Sequence, residues 1–190
     1  MKAIALTVHG SEDRLQLLQV AKPVHGDHDI LIKVHAFALN PVDTKIRRGD
    51  GDGTPVLNDL KILGWDGSGV VEAVGSNAEG FKVGDEVWFS GSIARNGCNA
   101  EYVAVDYRLV APKPHNVNHL VAASMPLALI TAWEAIEEKF HVAIPEPGSK
   151  AEKENASKNI LIVAGAGGVG SIAIQLAKSV FKLGKVIATA

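Results

Sequence analysis

The chain has 190 residues, 47% of them apolar and 21% charged, with a formal net charge of -2. That length holds one large domain or two small ones around a real core, and the near-neutral charge leaves no electrostatic footprint for nucleic acid or an anionic membrane. One cysteine, Cys98, rules out an internal disulfide and suits a reducing compartment. No stretch approaches the ~18 apolar residues of a membrane helix, so a soluble cytoplasmic protein with neither nucleic-acid nor membrane partners is expected.

Up to about residue 120 the pattern is that of short strands between turns. Residues 1–8 and 15–20 are apolar runs, the second ending before Pro23. Residues 29–40 alternate β-branched side chains at Ile30, Ile32 and Val34, the period-two signature of a strand. Further short runs follow at 69–74, 86–89, 101–105 and 108–110, punctuated by glycine turns. Many short strands of this kind make a small barrel or sandwich. From Val117 to Ile136 the spacing becomes helical, with Pro126 marking a break or a new start. Residues 145–158 are the most polar segment and read as a solvated linker. Residues 160–164 form a fully apolar run, as expected for a parallel strand covered on both faces. Residues 171–182 are helical, with Ile172, Leu176 and Val180 on one face and Gly184 placed as C-cap, and residues 185–190 begin another strand.

Between the apolar run and the last helix lies Gly165-Ala166-Gly167-Gly168-Val169-Gly170. A strand before, an amphipathic helix after and a second strand about 20 residues on give it the context of a dinucleotide-binding turn. Gly165 permits the turn, Gly167 lets the backbone approach a pyrophosphate, and Gly170 lets the helix pack on the strand. The helix N-terminus then presents N–H groups and the positive end of its dipole to the phosphates. An acidic residue at the end of the second strand would select NAD. None appears by Ala190, which leans toward NADP(H).

Other local patterns read as ordinary structure. His25 and His28 sit in a turn-rich surface run. Residues 50–54 (DGDGT) lack the register of a calcium loop. Cys98 has no neighbouring base, and Asn155-Ala156-Ser157 is a glycosylation sequon by pattern only.

Three blocks then go beyond a single fingerprint: Asn40-Pro41-Val42-Asp43-Thr44-Lys45 with Arg48-Gly49, the run GWDGSGVVEAVG from Gly64 to Gly75, and GAGGVGSIAIQLAK from Gly165 to Lys178. In this order, and with FKVGDEVW at 81–88 and AEYVAV at 100–105, they resemble the medium-chain dehydrogenase/reductase superfamily. Within it they resemble the quinone oxidoreductase and zinc-free "zinc-type alcohol dehydrogenase-like" branch. The resemblance implies an N-terminal GroES-like β-barrel domain carrying the substrate site, followed by the first βαβ portion of a Rossmann α/β domain. The boundary is expected near 120/121: a GroES-like substrate domain over 1–120 and the start of an NADP-binding domain over 121–190. It also implies that the catalytic zinc ligands of zinc-dependent members fall at Asn40, Trp65 and Leu127. Neither Trp nor Leu coordinates zinc and Asn is a poor ligand, so no zinc and no other metal is expected.

By that resemblance Asn40 and Asp43 are the candidate catalytic residues, with Asp43 equally suited to capping the helix after Pro41. Lys45, Arg48, Trp65 and Leu127 are candidates for the substrate pocket. Asn40, Thr131, Gly165, Ala166, Gly167, Gly168, Val169 and Gly170 are the candidate cofactor contacts. The expected reaction is hydride delivery from NADPH to a quinone or an α,β-unsaturated carbonyl, which needs orientation, a dry pocket and hydrogen-bond donors at the developing oxyanion. The alternative is a non-catalytic NADPH-binding protein on the same fold, crystallin-like or a truncated regulatory form. A complete dinucleotide domain has two mononucleotide halves. The chain therefore reads as a truncated form of a longer, homodimeric enzyme that alone would bind NADPH weakly and not turn over.

Overall fold

The computed structural model describes residues 1–49, 53, 55, 56 and 60–190. Apart from Gly53, the calcium-like run at 50–54 lies outside the described residues. The chain divides into two compact units, Met1–Pro126 and Leu127–Ala190.

The first unit is built from antiparallel strands. Strands β3 (Asp29–Ala38), β5 (Asp66–Val74), β6 (Glu86–Ser90), β7 (Tyr102–Asp106) and β8 (Val110–Pro112) form one sheet in the order β7-β3-β5-β6-β8. Strands β1 (Lys2–Leu6), β2 (Gln16–Gln19) and β4 (Lys61–Ile62) form a second, in the order β2-β1-β4, and a bridge between Ala3 and Ala100 ties β1 to the segment before β7. The alternation in β3 does what period two requires: Ile30 and Ile32 enter a core with Val71, Val87, Phe89, Val103 and Val105. Gly69 lets the two central strands close up, because a Cβ there would lie 2.1 Å from the Lys33 carbonyl oxygen. Helix α1 (Pro41–Arg48) follows β3, and the short helix α2 (His119–Ala123) packs against β3, β5 and β6.

The second unit runs through helix α3 (Pro126–Glu134), α4 (Lys150–Ser157), strand β9 (Asn159–Ile162), helix α5 (Gly168–Gln175) and strand β10 (Lys185–Ala188). Strands β9 and β10 pair in parallel across α5, giving the expected βαβ unit. Its core gathers Ala132, Ile136, Val142, Ile162, Ala173, Leu176, Phe181 and Leu183.

Three expectations are corrected here. The polar stretch 145–158 is not a linker: α4 occupies its second half. The Ser149 hydroxyl accepts the Glu152 N–H at 3.2 Å, while the Glu152 carboxylate accepts the Gly148 N–H at 2.6 Å. The helix is anchored by Asn155, 1% exposed, whose amide donates to the Ala143 and Phe181 carbonyls at 2.9 and 2.8 Å, so the sequon asparagine is an internal strut. The apolar run at 160–164 is covered on one face only: Ile162 is buried, but Leu161 is 61% and Val163 74% exposed. Gly184 is not the cap of the last helix. Lys182 takes the left-handed conformation (φ 55°), and Gly184 is instead required where a Cβ would meet the Ala156 carbonyl oxygen at 2.1 Å.

Candidate functional site

The first group of candidates gathers where β3 hands over to α1. Asn40 is the N-cap, with extended backbone, and Pro41 takes the first helical position, where a missing N–H costs nothing. Asp43 is buried and reaches back: one carboxylate oxygen accepts the Asn40 N–H at 2.7 Å and the other accepts the Gly64 N–H at 2.8 Å. It thus satisfies an orphan donor of the helix start and ties α1 to the segment entering β5. The Asn40 side-chain amide donates to the carboxylate of Asp66 at 3.0 Å. Asp66 is wholly buried at the start of β5 and was passed over in the sequence, although it stands inside the GWDGSG block. Only its placement behind Asn40 gives it meaning, and that is a tertiary fact.

Around this handover the other candidates differ in setting. Lys45 and Arg48 are exposed on α1, whereas the neighbouring Arg47 is buried and donates to the Gly10 carbonyl at 2.7 Å. Trp65 is a core residue, packed with Leu6, Val56 and Leu63 under Val42 and Ile46, its indole N–H donating to the Arg95 carbonyl at 3.3 Å. It also forms part of the wall of a cavity of about 270 Å³. Cys98 is buried, its thiol donating to the Asp66 carbonyl at 3.5 Å, and burial pushes that thiol up to about 12. A thiolate nucleophile at neutral pH is therefore excluded.

A second cluster had no sequence signal, because its members are far apart in the chain. Ser68 Oγ lies 2.8 Å from His119 Nδ1, and His119 Nε2 lies 3.1 Å from a carboxylate oxygen of Glu86. The order resembles a nucleophilic triad, but the Ser68 hydroxyl is fully buried and donates to the Val87 carbonyl at 2.7 Å. It cannot reach a substrate, and the cluster pins α2 to the sheet. Burial, and then the neighbouring His35, hold the His119 imidazole below its ordinary value.

In the second unit Leu127 and Thr131 lie one turn apart on α3, the Thr131 hydroxyl donating to the Leu127 carbonyl at 2.7 Å. The glycine turn joins the end of β9 to the start of α5. A Cβ on Gly170 would lie 2.3 Å from the Ala164 carbonyl oxygen and one on Gly165 2.7 Å from the Ala188 Cβ, so helix and strand approach as only glycine permits. At Gly167 the nearest atom is the Ala164 oxygen at 3.3 Å, and at Gly168 nothing lies within 4 Å. Ala166, Gly167, Gly168 and Val169 are exposed, leaving the rim of the turn open. Thr189, at the end of β10, accepts the Ala164 N–H on its hydroxyl at 3.1 Å and the Gly165 N–H on its carbonyl at 2.7 Å. That fixes the turn to the strand end where a ribose would be read. A tight inner side, an open rim and first-turn N–H groups without intrahelical acceptors fit a pyrophosphate.

Comparison with known proteins points the same way. Residues 26–115 match the Alcohol dehydrogenase GroES-like domain. A zinc-type alcohol dehydrogenase-like protein of Staphylococcus aureus (strain MRSA252) is 43% identical over 83% of this chain and 44% of its own. The 2-methylene-furan-3-one reductase of Solanum lycopersicum is 42% identical over 100% of this chain and 47% of its own. The chloroplastic NADPH-dependent alkenal/one oxidoreductase of Arabidopsis thaliana is 40% identical, with the same two coverages. The chain thus spans about half the length of the curated relatives it matches. Among solved structures, a proposed zinc-dependent alcohol dehydrogenase protein from Rhizobium etli CFN 42 superposes with a TM-score of 0.86 at 44% identity, over 100% of this chain and 53% of that one. The quinone oxidoreductase from Coxiella burnetii does so with a TM-score of 0.79 at 35% identity, over 100% and 56%. The N-terminal unit is the expected GroES-like domain and the C-terminal unit the expected start of a Rossmann fold.

Proposed function

The chain belongs to the medium-chain dehydrogenase/reductase superfamily, and on that footing we propose that it serves an NADPH-dependent, zinc-independent reductase of quinones or α,β-unsaturated carbonyls. The observation that carries the reading is the glycine turn, closed on its inner side at Gly165 and Gly170 and open on its rim. NADPH held there supplies the hydride. The α5 N-terminus and the backbone of residues 165–170 bind the pyrophosphate. A relative named as an NADPH-dependent alkenal/one oxidoreductase supports the cofactor, and with a relative named as a 2-methylene-furan-3-one reductase it supports the acceptor class.

On the acceptor side we assign the working donor to Asn40. One amide hydrogen is committed to Asp66, which fixes the plane of the amide. The second is the kind of donor a developing enolate or hydroquinone oxygen requires. Asp43 and Asp66 are then positioning residues, holding the backbone and side chain of Asn40 respectively. In the first unit Lys45, Arg48 and Trp65 are the residues we assign to the acceptor side; in the second, taken by itself, Leu127 is assigned to the acceptor and Thr131 to the cofactor. Zinc-independence rests on the residue types at Asn40, Trp65 and Leu127. The test is NADPH oxidation by the full-length protein against a panel of quinones and enones, with metal analysis of the same sample. Turnover with at least one class and substoichiometric zinc is expected. Oxidation with no acceptor, or one zinc per chain, would overturn the reading.

A further inference from the structure

Away from the glycine turn, the first unit holds a cleft of about 580 Å³ lined by His9, Ile46, Val56, Leu60, Lys61 and the segment 93–96. That volume lies in the range of small-molecule sites. We propose that this cleft binds a small apolar monocarboxylate, whose carboxylate meets the ammonium of Lys61 while its hydrocarbon part lies against Ile46, Val56, Leu60 and Ile93. The proposal does not depend on the reductase reading.

Lys61 carries the argument. Its ammonium donates to the Ile93 carbonyl at 2.6 Å and the Arg95 carbonyl at 2.8 Å. An ammonium has three donors, and among the described residues no third acceptor and no carboxylate partner meets it. Two neutral carbonyls orient the charge without neutralising it. Partial burial meanwhile pulls the lysine below its ordinary value. A carboxylate supplies what is missing through a charge-assisted bond.

The other polar groups of the cleft limit the ligand to one negative charge. Arg95 is no second anion receptor, because both ends of its guanidinium are taken by Asp29 at 2.8 and 2.7 Å. The Asn96 side-chain oxygen accepts the Ile62 N–H at 3.0 Å. His9 Nδ1 lies 2.9 Å from the Ile46 carbonyl. A carbonyl only accepts, so Nδ1 carries a proton and is committed to that carbonyl. A cation without a carboxylate partner among the described residues, set over an apolar wall, selects a monoanion with a flat or flexible hydrocarbon body rather than a phosphate or a dicarboxylate.

Trans-cinnamate is a suitable probe, with benzalacetone as its uncharged counterpart. The Lys61 ammonium lies 5.4 Å from the centre of the Trp65 ring, so neutralising it should alter tryptophan emission. Saturable binding of cinnamate is expected, at least tenfold tighter than benzalacetone, weakened at least tenfold by Lys61→Met and less than threefold by Lys61→Arg. Equal binding of the two probes, or unchanged cinnamate affinity in Lys61→Met, would overturn the proposal. Because Lys61→Met also frees two carbonyls of the 93–95 segment, methyl spectra of the unsubstituted protein give an independent reading. Shifts on adding cinnamate should fall on Ile46, Val56 and Ile93, and their absence there would overturn it equally.

Discussion

Replacing Asp43 by Ala tests what holds the handover from β3 to α1. Its carboxylate accepts two backbone N–H groups, from Asn40 at 2.7 Å and Gly64 at 2.8 Å, and the side chain is 5% exposed. Losing a helix-cap acceptor costs about 0.5–2 kcal/mol, and a buried backbone donor left unpaired costs about 1–3 kcal/mol. Water reaches the helix start more easily than Gly64, which tempers the sum to about 1.5–4 kcal/mol. Urea unfolding followed by tryptophan emission measures it, in a Trp133→Phe background so that only Trp65 and Trp88 of the first unit report. An unchanged slope with a lower midpoint is expected. A loss below about 1 kcal/mol would show that both donors find other acceptors and that Asp43 is not the tie described.

In the second unit, Gly170→Ala should cost about 1–3 kcal/mol, since its methyl meets the Ala164 carbonyl oxygen at 2.3 Å. Gly168→Ala, with nothing within 4 Å, should be neutral or slightly stabilising, and thermal melts of the two variants check the contrast. Asn155→Ala removes both struts of α4 and should destabilise the unit by about 2–4 kcal/mol, read from Trp133 emission during urea unfolding. For pH, His119 is packed against Ser68, His35, Glu86 and Lys113, and burial lowers it from 6.5. The unfolded chain then takes up the proton first, so stability of the first unit is full above about pH 7 and falls as pH drops below 6.5. His119→Gln should flatten urea midpoints measured between pH 5.5 and 7.5, and an unaltered pH slope would contradict the assignment.

The barrel strands were legible because β-branched residues recur every second position on the face turned to the core, as at Ile30 and Ile32, although Leu31 between them is buried too. The glycine turn was legible because steric demand at Gly165 and Gly170 leaves a residue-type signature. What escaped the sequence depended on partners remote in the chain. Asp66 looks like any strand-edge carboxylate until Asn40 is folded against it, and Ser68, Glu86 and His119 meet only through the packing of α2 on the sheet. Helix α4 was missed for a different reason. Its composition is that of a linker, and the decisive signal was local: the Ser149 hydroxyl caps the Glu152 N–H while the Glu152 carboxylate takes the Gly148 N–H, which outweighs the surrounding polarity. The reverse held for β9, where a run of apolar residues implied two covered faces and Leu161 and Val163 are open. An apolar pattern says what a strand would bury, not whether the covering layer is present.

Titration of the isotope-labelled chain with NADPH, followed through its backbone amide shifts, addresses the cofactor assignment most directly. Saturable shifts should concentrate on the amides of residues 165–170 and on Thr189, and be weaker with NADH. Unmoved amides in that turn at millimolar NADPH, or shifts confined to the first unit, would contradict it.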